Sequence, residues 1–270
     1  MAGNTTMKSS NSKLSVVLAI HNEAEMLGQC LESVQKIADE IVIVDGESSD
    51  ESATIAKQFS ARIITAKNVA NFHINKQKAI DAARNELILQ LDADEVVTPG
   101  LAAFISTIKQ HPDKFQSTSA WWIKRRNYFL GTWLKKGGQY PDPVIRLFWK
   151  GQAELPQKDV HEQMRVLGKT DWAEGCLEHF SSPSLTVYLR KMNTYSSFAA
   201  AQLHHDGVKP TFSILIAFFV SKPIATFVQL YFRHKGLLDG IAGFLFALLS
   251  ALHFPLQFLK LWELSQYEKN

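Results

Sequence analysis

The chain has 270 residues, 46% of them hydrophobic and 20% charged, so it is long enough for one or two domains with a sizeable core and is neither disordered nor fibrous. Its 29 Lys and Arg residues against 26 Asp and Glu leave a net charge of +3, too balanced for a dedicated nucleic-acid binder. Residues 181–270 carry 8 basic and 4 acidic side chains and residues 1–180 carry 21 and 22, which separates a near-neutral body from a basic, apolar tail of the kind that faces membranes.

The two cysteines, Cys30 and Cys176, stand in no metal-ligand spacing, which argues against a disulfide scaffold or zinc module and for two buried thiols in a reducing compartment. Residues 1–13 are polar, and the apolar run from Leu14 to Ile20 is cut off by His21-Asn22-Glu23, too soon for a signal peptide. The body is therefore expected in the cytoplasm.

Leu14 to Ile20 reads as a buried strand, because it is short, apolar and partly β-branched. Asn22 and Glu25 are spaced for a capping box, and Leu27, Cys30, Leu31 and Val34 then share one helix face. Ile41 to Val44 is a second strand ending at Asp45-Gly46, followed by a short helix carrying Ile55, Ala56 and Phe59. Arg62 to Thr65 is a third strand, a helix carries Ala79, Ile80 and Ala83, and Leu87 to Leu91 is a fourth strand running into Asp92-Ala93-Asp94-Glu95. This alternation predicts an α/β fold with a mostly parallel sheet covered on both faces, and ligands outside the carboxyl ends of its strands. Thr98-Pro99 begins a further helix that buries Leu101, Phe104, Ile105 and Ile108.

Residues 120–180 read as strands with long loops: Trp121 to Phe129 and Val144 to Trp149 flank Gly137-Gly138 and Pro141-Asp142-Pro143. In the tail, Leu185, Tyr188, Leu189, Met192, Tyr195 and Ala199 keep helical spacing. Two apolar blocks follow, Phe212 to Phe232, interrupted by Lys222-Pro223, and Gly240 to Leu259, which has no Asp, Glu, Lys or Arg. The second is nominally long enough to span a bilayer, yet contains His253, Pro255 and Gln257. Interfacial helices or a re-entrant hairpin, true spans, and a buried helical subdomain or dimer contact all remain open on this pattern.

Asp92 and Asp94, alternating at the end of an apolar strand, suit a hard cation, since Mg²⁺ or Mn²⁺ takes oxygen ligands and can bridge to a diphosphate. A solvated turn with capping acids is the other reading of the triplet taken alone. Asp45, ending its own strand before Gly46-Glu47-Ser48-Ser49-Asp50, can accept a hydrogen bond from a base imide N–H, while helix capping by Ser49 or Asp50 can coexist with that role. From Trp121 to Lys136 five basic residues, Lys124, Arg125, Arg126, Lys135 and Lys136, are interleaved with aromatic rings and no acid. Such a stretch suits an anionic glycolipid or, equally, a solvated outer sheet face. Arg146 and the pair Arg190-Lys191 are further phosphate candidates.

Three ordered segments, Val16 to Glu23, Ile43 to Asp50 and Leu91 to Glu95, resemble the signatures of family 2 glycosyltransferases of the GT-A fold. Asp142 to Phe148 and Val160-His161-Glu162 resemble the branch that adds glucose to the inner core of bacterial lipopolysaccharide. The resemblance implies a nucleotide-sugar donor, a divalent cation and inversion at the anomeric carbon. It puts Ala19, Asn22 and Glu23 at the donor, Asp45 on uracil, Asp92 at the ribose and Asp94 on the metal beside the diphosphate, while Glu95 stands where a third Asp is frequent. Glu162, at the branch's His-Glu position, is the expected base for the acceptor hydroxyl, with Asp142 second and His161 orienting or structural.

These readings divide the chain into a polar segment 1–13, a GT-A catalytic domain 14–180 (nucleotide-sugar half 14–110, acceptor half 111–180) and a helical membrane-associating tail 181–270. The expected activity is metal-dependent transfer of a hexose, glucose from UDP-glucose, to a lipid-linked anionic acceptor such as the lipopolysaccharide inner core. The expected place is the cytoplasmic face of the cell membrane, and the tail helices are a candidate homo-oligomer contact. Transfer to polyprenyl phosphate is the rival on the same fold, and a catalytically silent nucleotide-binding or scaffolding protein the rival of another class.

Overall fold

A computed structural model of the chain describes residues 11–69, 71–156 and 163–267. The chain passes through β1 (Leu14–Ile20), α1 (Ala24–Val34), β2 (Glu40–Asp45), α2 (Ser52–Gln58), β3 (Arg62–Thr65), α3 (Phe72–Ala82) and β4 (Leu87–Leu91). Next come β5 (Glu95–Val97), α4 (Pro99–Gln110), β6 (Ala120–Phe129), β7 (Thr132–Trp133), β8 (Asp142–Trp149), β9 (Ala153–Glu154), β10 (Arg165–Val166) and β11 (Thr170–Ser182). Three helices follow, α5 (Leu185–His205), α6 (Phe212–Arg233) and α7 (Gly240–Tyr267). Of the described residues, those up to Arg125 together with Pro143–His179 form one compact unit, and Arg126–Asp142 with the residues from Phe180 onward form a second.

The first unit carries a mixed sheet of order β3-β2-β1-β4-β8-β6-β11-β5. Its β3-β2-β1-β4 half is parallel, whereas β8 joins β4 and β5 joins β11 antiparallel. Period-two alternation sends Val16 and Leu18 of β1 into a core with Leu27 and Leu31 of α1 and Leu101, Ile105 and Ile108 of α4. Val17, Val42 and Ile88 point the other way, onto Ala79 and Ile80 of α3. Strands buried on both faces read as nearly unbroken apolar runs, which is why β1, β2 and β4 stand out in the sequence. Both cysteines are buried. In the parallel register Ile20 lies opposite Asp45 and Leu18 opposite Leu91, so the carboxyl ends of β1, β2 and β4 lie side by side.

The entry to α1 differs from the expected capping box. Asn22 takes a left-handed backbone conformation, φ 55°, which Asn tolerates, and Glu23 precedes the helix without a side-chain cap. The Glu23 and Ala24 N–H groups are satisfied from the next loop instead, by Ser52 Oγ at 2.8 Å and Asp50 Oδ2 at 3.1 Å. At α4 the expected Thr98 cap and the Pro99 start are both present.

In the second unit β7 pairs with the end of β6, Tyr128 opposite Trp133. Phe129 meets Tyr188 of α5 and Phe246 of α7, and the α6–α7 turn is held by Lys135 and Lys136 N–H groups donating to Asp239. Helices α6 and α7 pack through Phe218 on Phe254 and Phe258, and Phe227 on Phe244. Both are long and apolar enough to cross a membrane by length and composition.

Candidate active site

The carboxyl ends of β1 and β2 are stitched together by side chains. His21 Nδ1 lies 2.7 Å from Gly46 O, Ser48 Oγ accepts the Asn22 N–H at 2.9 Å, and Asn22 Oδ1 accepts the Ser49 N–H at 2.8 Å. Gly46 favours this closeness, since a Cβ there would sit 3.2 Å from Ile20 O, tighter than an ordinary contact. Asp45 is buried at the end of β2, and its Oδ1 accepts from both the amide (3.2 Å) and the hydroxyl (2.6 Å) of Ser48. Ala19 is half-buried one residue before the end of β1, opposite Val44. Two loops are thus held rigidly around one carboxylate, an arrangement that positions a ligand without further ordering.

Beside them, at the end of β4, lies a compact ionic cluster. Arg146 of β8 donates to Gln90, to Asp92 Oδ2 and, at 3.0 Å, to Glu95 Oε1. Lys76 of α3 pairs with Asp92 Oδ1, and Arg125 of β6 reaches Glu95 Oε1 at 3.2 Å. Glu95 is wholly buried, and its Oε2 accepts the Asp92 N–H at 3.0 Å, closing the acidic turn on itself. Burial opposes the charge on Asp92, but the Arg146 guanidinium and the Lys76 ammonium hold its carboxyl well below the usual carboxylate range. Burial likewise opposes the Arg146 charge, and Asp92 and Glu95 more than offset it.

Asp94 points to a different partner. Its Oδ2 lies 3.5 Å from Nε2 of His179, which β11 supplies directly opposite Glu95 in the sheet register. The carboxylate oxygen suits a hard cation such as Mg²⁺ or Mn²⁺, and the imidazole nitrogen beside it is a softer donor that favours Mn²⁺ over Mg²⁺. Among the described residues no group of three or more His, Cys, Asp or Glu side chains surrounds a single point, so a cation here would need ligand or water oxygens to complete its shell.

The family model "Glycosyl transferase family 2" matches residues 15–145. The lipopolysaccharide core biosynthesis glycosyltransferase LpsC of Rhizobium meliloti is 30% identical over 93% of this chain and 92% of its own length. The chain belongs to glycosyltransferase family 2. A glycosyltransferase of Rickettsia typhi is 27% identical to this transferase over 96% of this chain and 89% of the relative. A solved glucosyl-3-phosphoglycerate synthase of Mycobacterium tuberculosis, in complex with Mn²⁺, UDP and glucosyl-3-phosphoglycerate, is 16% identical with a TM-score of 0.34, covering 43% of this chain and 44% of that one.

The remaining site expectations fare differently in the transferase. Arg125 and Arg146, expected to meet acceptor phosphate, are turned inward onto Glu95 and Asp92, and the Arg146 side chain is only 10% exposed. A lone guanidinium within the apolar strand β8 is stable only with acids against it. Arg126, Asp142, Arg190 and Lys191 lie in the second unit. There Arg126 stacks on Trp133, Asp142 accepts from Asn127 Nδ2 at 2.9 Å, Lys191 donates to Ser181 O, and Arg190 is exposed on α5. His161 and Glu162 lie outside the described residues. Lys76, Gln90 and His179 are additions that the sequence reading did not single out.

Proposed function

We propose that this glycosyltransferase moves a hexose, glucose from UDP-glucose, with inversion onto a lipid-linked anionic acceptor of the lipopolysaccharide inner-core type, at the cytoplasmic face of the membrane. The observation that carries the reading is the gathering of Asp45, the Asn22–Ser48 loop pair and the Asp92–Asp94 turn at adjacent strand ends, in a chain alike over 93% of its length to a lipopolysaccharide core transferase.

In this reading Asp45 accepts the uracil imide N–H through the oxygen that Ser48 leaves to it, and Ala19, Asn22 and Glu23 shape the base and ribose pocket. Asp94 and His179 would hold a divalent cation, which would supply positive charge to neutralise what gathers on the departing diphosphate. Asp92 keeps its position through Lys76 and Arg146, and so sets the direction in which Asp94 projects. Glu162 takes the proton from the acceptor hydroxyl as that oxygen forms the new bond to the anomeric carbon on the face opposite the leaving UDP, with Asp142 as the second candidate. Arg126, Arg190 and Lys191 supply cationic groups for the anionic acceptor.

The donor is tested by protection against thermal unfolding across a panel of nucleotide sugars, with and without Mn²⁺. UDP-glucose with Mn²⁺ is expected to protect most, and indifference to every uridine nucleotide would overturn the reading. The base is tested by Glu162→Gln, expected to abolish transfer with donor binding intact. Retained transfer there, with loss in Asp142→Asn, moves the base to Asp142. Partition of the labelled product into organic solvent separates a polyprenyl-phosphate acceptor from a core oligosaccharide.

A further inference from the structure

The exposed faces of the second unit are sorted by helix. On α6, Phe212, Ile216, Val220, Ile224, Val228 and Phe232 recur every fourth residue and are all exposed. Such a row drifts around an ordinary 3.6-residue helix, and the wider π-type turns at Ala217–Ser221 and Gln229–Arg233 take part of that drift back. On α7 one narrow row is exposed, Ile241, Phe244, Leu248, Leu252, Leu259 and Trp262, while Ala247, Ala251, Phe258 and Leu261 are buried. Helix α5 differs: Arg190, Asn193, Thr194, Ser197 and Gln202 are exposed among its apolar positions.

The connections constrain what these helices can do. The start of α5 and the α6–α7 turn both rest on the same segment, residues 126–142: Leu130 N–H donates to Ser182 O at 2.9 Å, Gly137 N–H to His234 O at 2.9 Å, and Lys135 and Lys136 N–H groups to Asp239. An α6 that crossed a bilayer would have to begin on the far side, so α5 would have to cross first. Its exposed Arg, Asn, Thr, Ser and Gln side chains oppose that, as does Lys260 of α7, whose ammonium bonds Asn193 Oδ1, Ser196 Oγ and Ser197 Oγ of α5 at 2.7–2.8 Å. Between residues 207 and 262 the only acid is Asp239, already engaged, against the bases Lys209, Lys222, Arg233, Lys235 and Lys260. That charge favours anionic headgroups over a second copy of the same basic face.

We infer that α5, α6 and α7 form a monotopic layer lying in the plane of an anionic leaflet, with the apolar rows of α6 and α7 in the acyl boundary and no helix crossing. This rests on the membrane-face reading above and adds the topology.

The test uses the full chain in inverted inner-membrane vesicles and an impermeant thiol reagent added outside. Lys209→Cys, in the α5–α6 turn, is compared with Lys57→Cys on α2, and the buried native cysteines serve as the unlabelled control. In-plane helices give labelling of both variants from the outside, with no further gain on adding detergent. Lys209→Cys labelled only after detergent means that the helices cross, and overturns the inference while leaving the membrane reading standing. A chain recovered wholly in the soluble fraction overturns both, and a dimer in sedimentation of that fraction would assign the apolar rows to a second copy.

Discussion

The two units depart from the usual partition of side chains in opposite directions. The first buries charge: Glu95 is fully enclosed and Arg146 nearly so. The second exposes apolar bulk, with Phe212 and Ile241 each 79% accessible. Scattered exposed leucines and paired surface charges carry little information, whereas a buried ion cluster and a long apolar row do. Ordinary packing does not account for either departure: in the first the buried charges hold an acidic turn in one geometry, and in the second the proposed membrane contact would cover the apolar rows.

The sharpest way to break the first half of this comparison is to remove one member of the cluster. Arg146→Met should destabilise the chain by about 3–5 kcal/mol, because Glu95 and Asp92 are left without their main counter-charge, whereas Arg146→Met combined with Glu95→Gln should be milder than the sum of the two. Thermal or denaturant unfolding reads both. The same cluster fixes a pH dependence. The folded-state pKa of Asp92 is depressed, so the stability that this group contributes is whole above its unfolded value of about 4 and is lost as the pH falls below it. Unfolding midpoints from pH 7 down to pH 3 should fall more steeply in the natural chain than in Lys76→Met.

In the proposed function Asp94 is where the cluster gives way to chemistry. Asp94→Ala should leave the fold intact and lower turnover at least ~100-fold, within the range for deleting one electrostatic stabiliser. Near-normal turnover in the presence of a chelator would remove the cation from the reading. Asp45→Asn should act more gently, weakening UDP-sugar binding by about 1–3 kcal/mol and raising KM more than it lowers kcat, since its proposed contact with the base is remote from the reacting carbon. Titration calorimetry with UDP checks it directly.

How far the sequence reveals this arrangement depends on the range of the contacts. Strands β1, β2 and β4 are legible as apolar runs, and Asp45, Asp92 and Asp94 as acids at the ends of β2 and β4. Strand β5, three residues long and paired with β11, is not, because nothing local distinguishes it from the acidic turn. His179 is invisible for the same reason, brought to Asp94 only by that long-range register. Two signals were readable and carry a general lesson: Gln90 inside Leu87 to Leu91, and Arg146 between Ile145 and Leu147, are lone polar residues in buried strands, and such residues imply partners within the core before they imply a ligand. Asn22 fits a capping box by spacing alone, but the Ser48–Ser49 loop claims its backbone and its amide.

The smallest effect per side chain is expected in the exposed apolar unit, where it separates two sources of attraction. Burial of the α6 and α7 rows should supply most of the membrane free energy, while Lys222, Arg233 and Lys235 should each add about 1 kcal/mol near an anionic surface. Raising the salt screens only the second term, so high salt alone should release a minor fraction of the chain from vesicles of phosphatidylethanolamine and phosphatidylglycerol. Replacing all three bases by Gln should therefore shift binding to these vesicles and leave binding to uncharged phosphatidylcholine unchanged. Ile224→Ser with Leu248→Ser should weaken both equally. If the basic variant instead lost all binding at low salt, the apolar rows would not be in contact with lipid, and their exposure would need a protein partner to explain it.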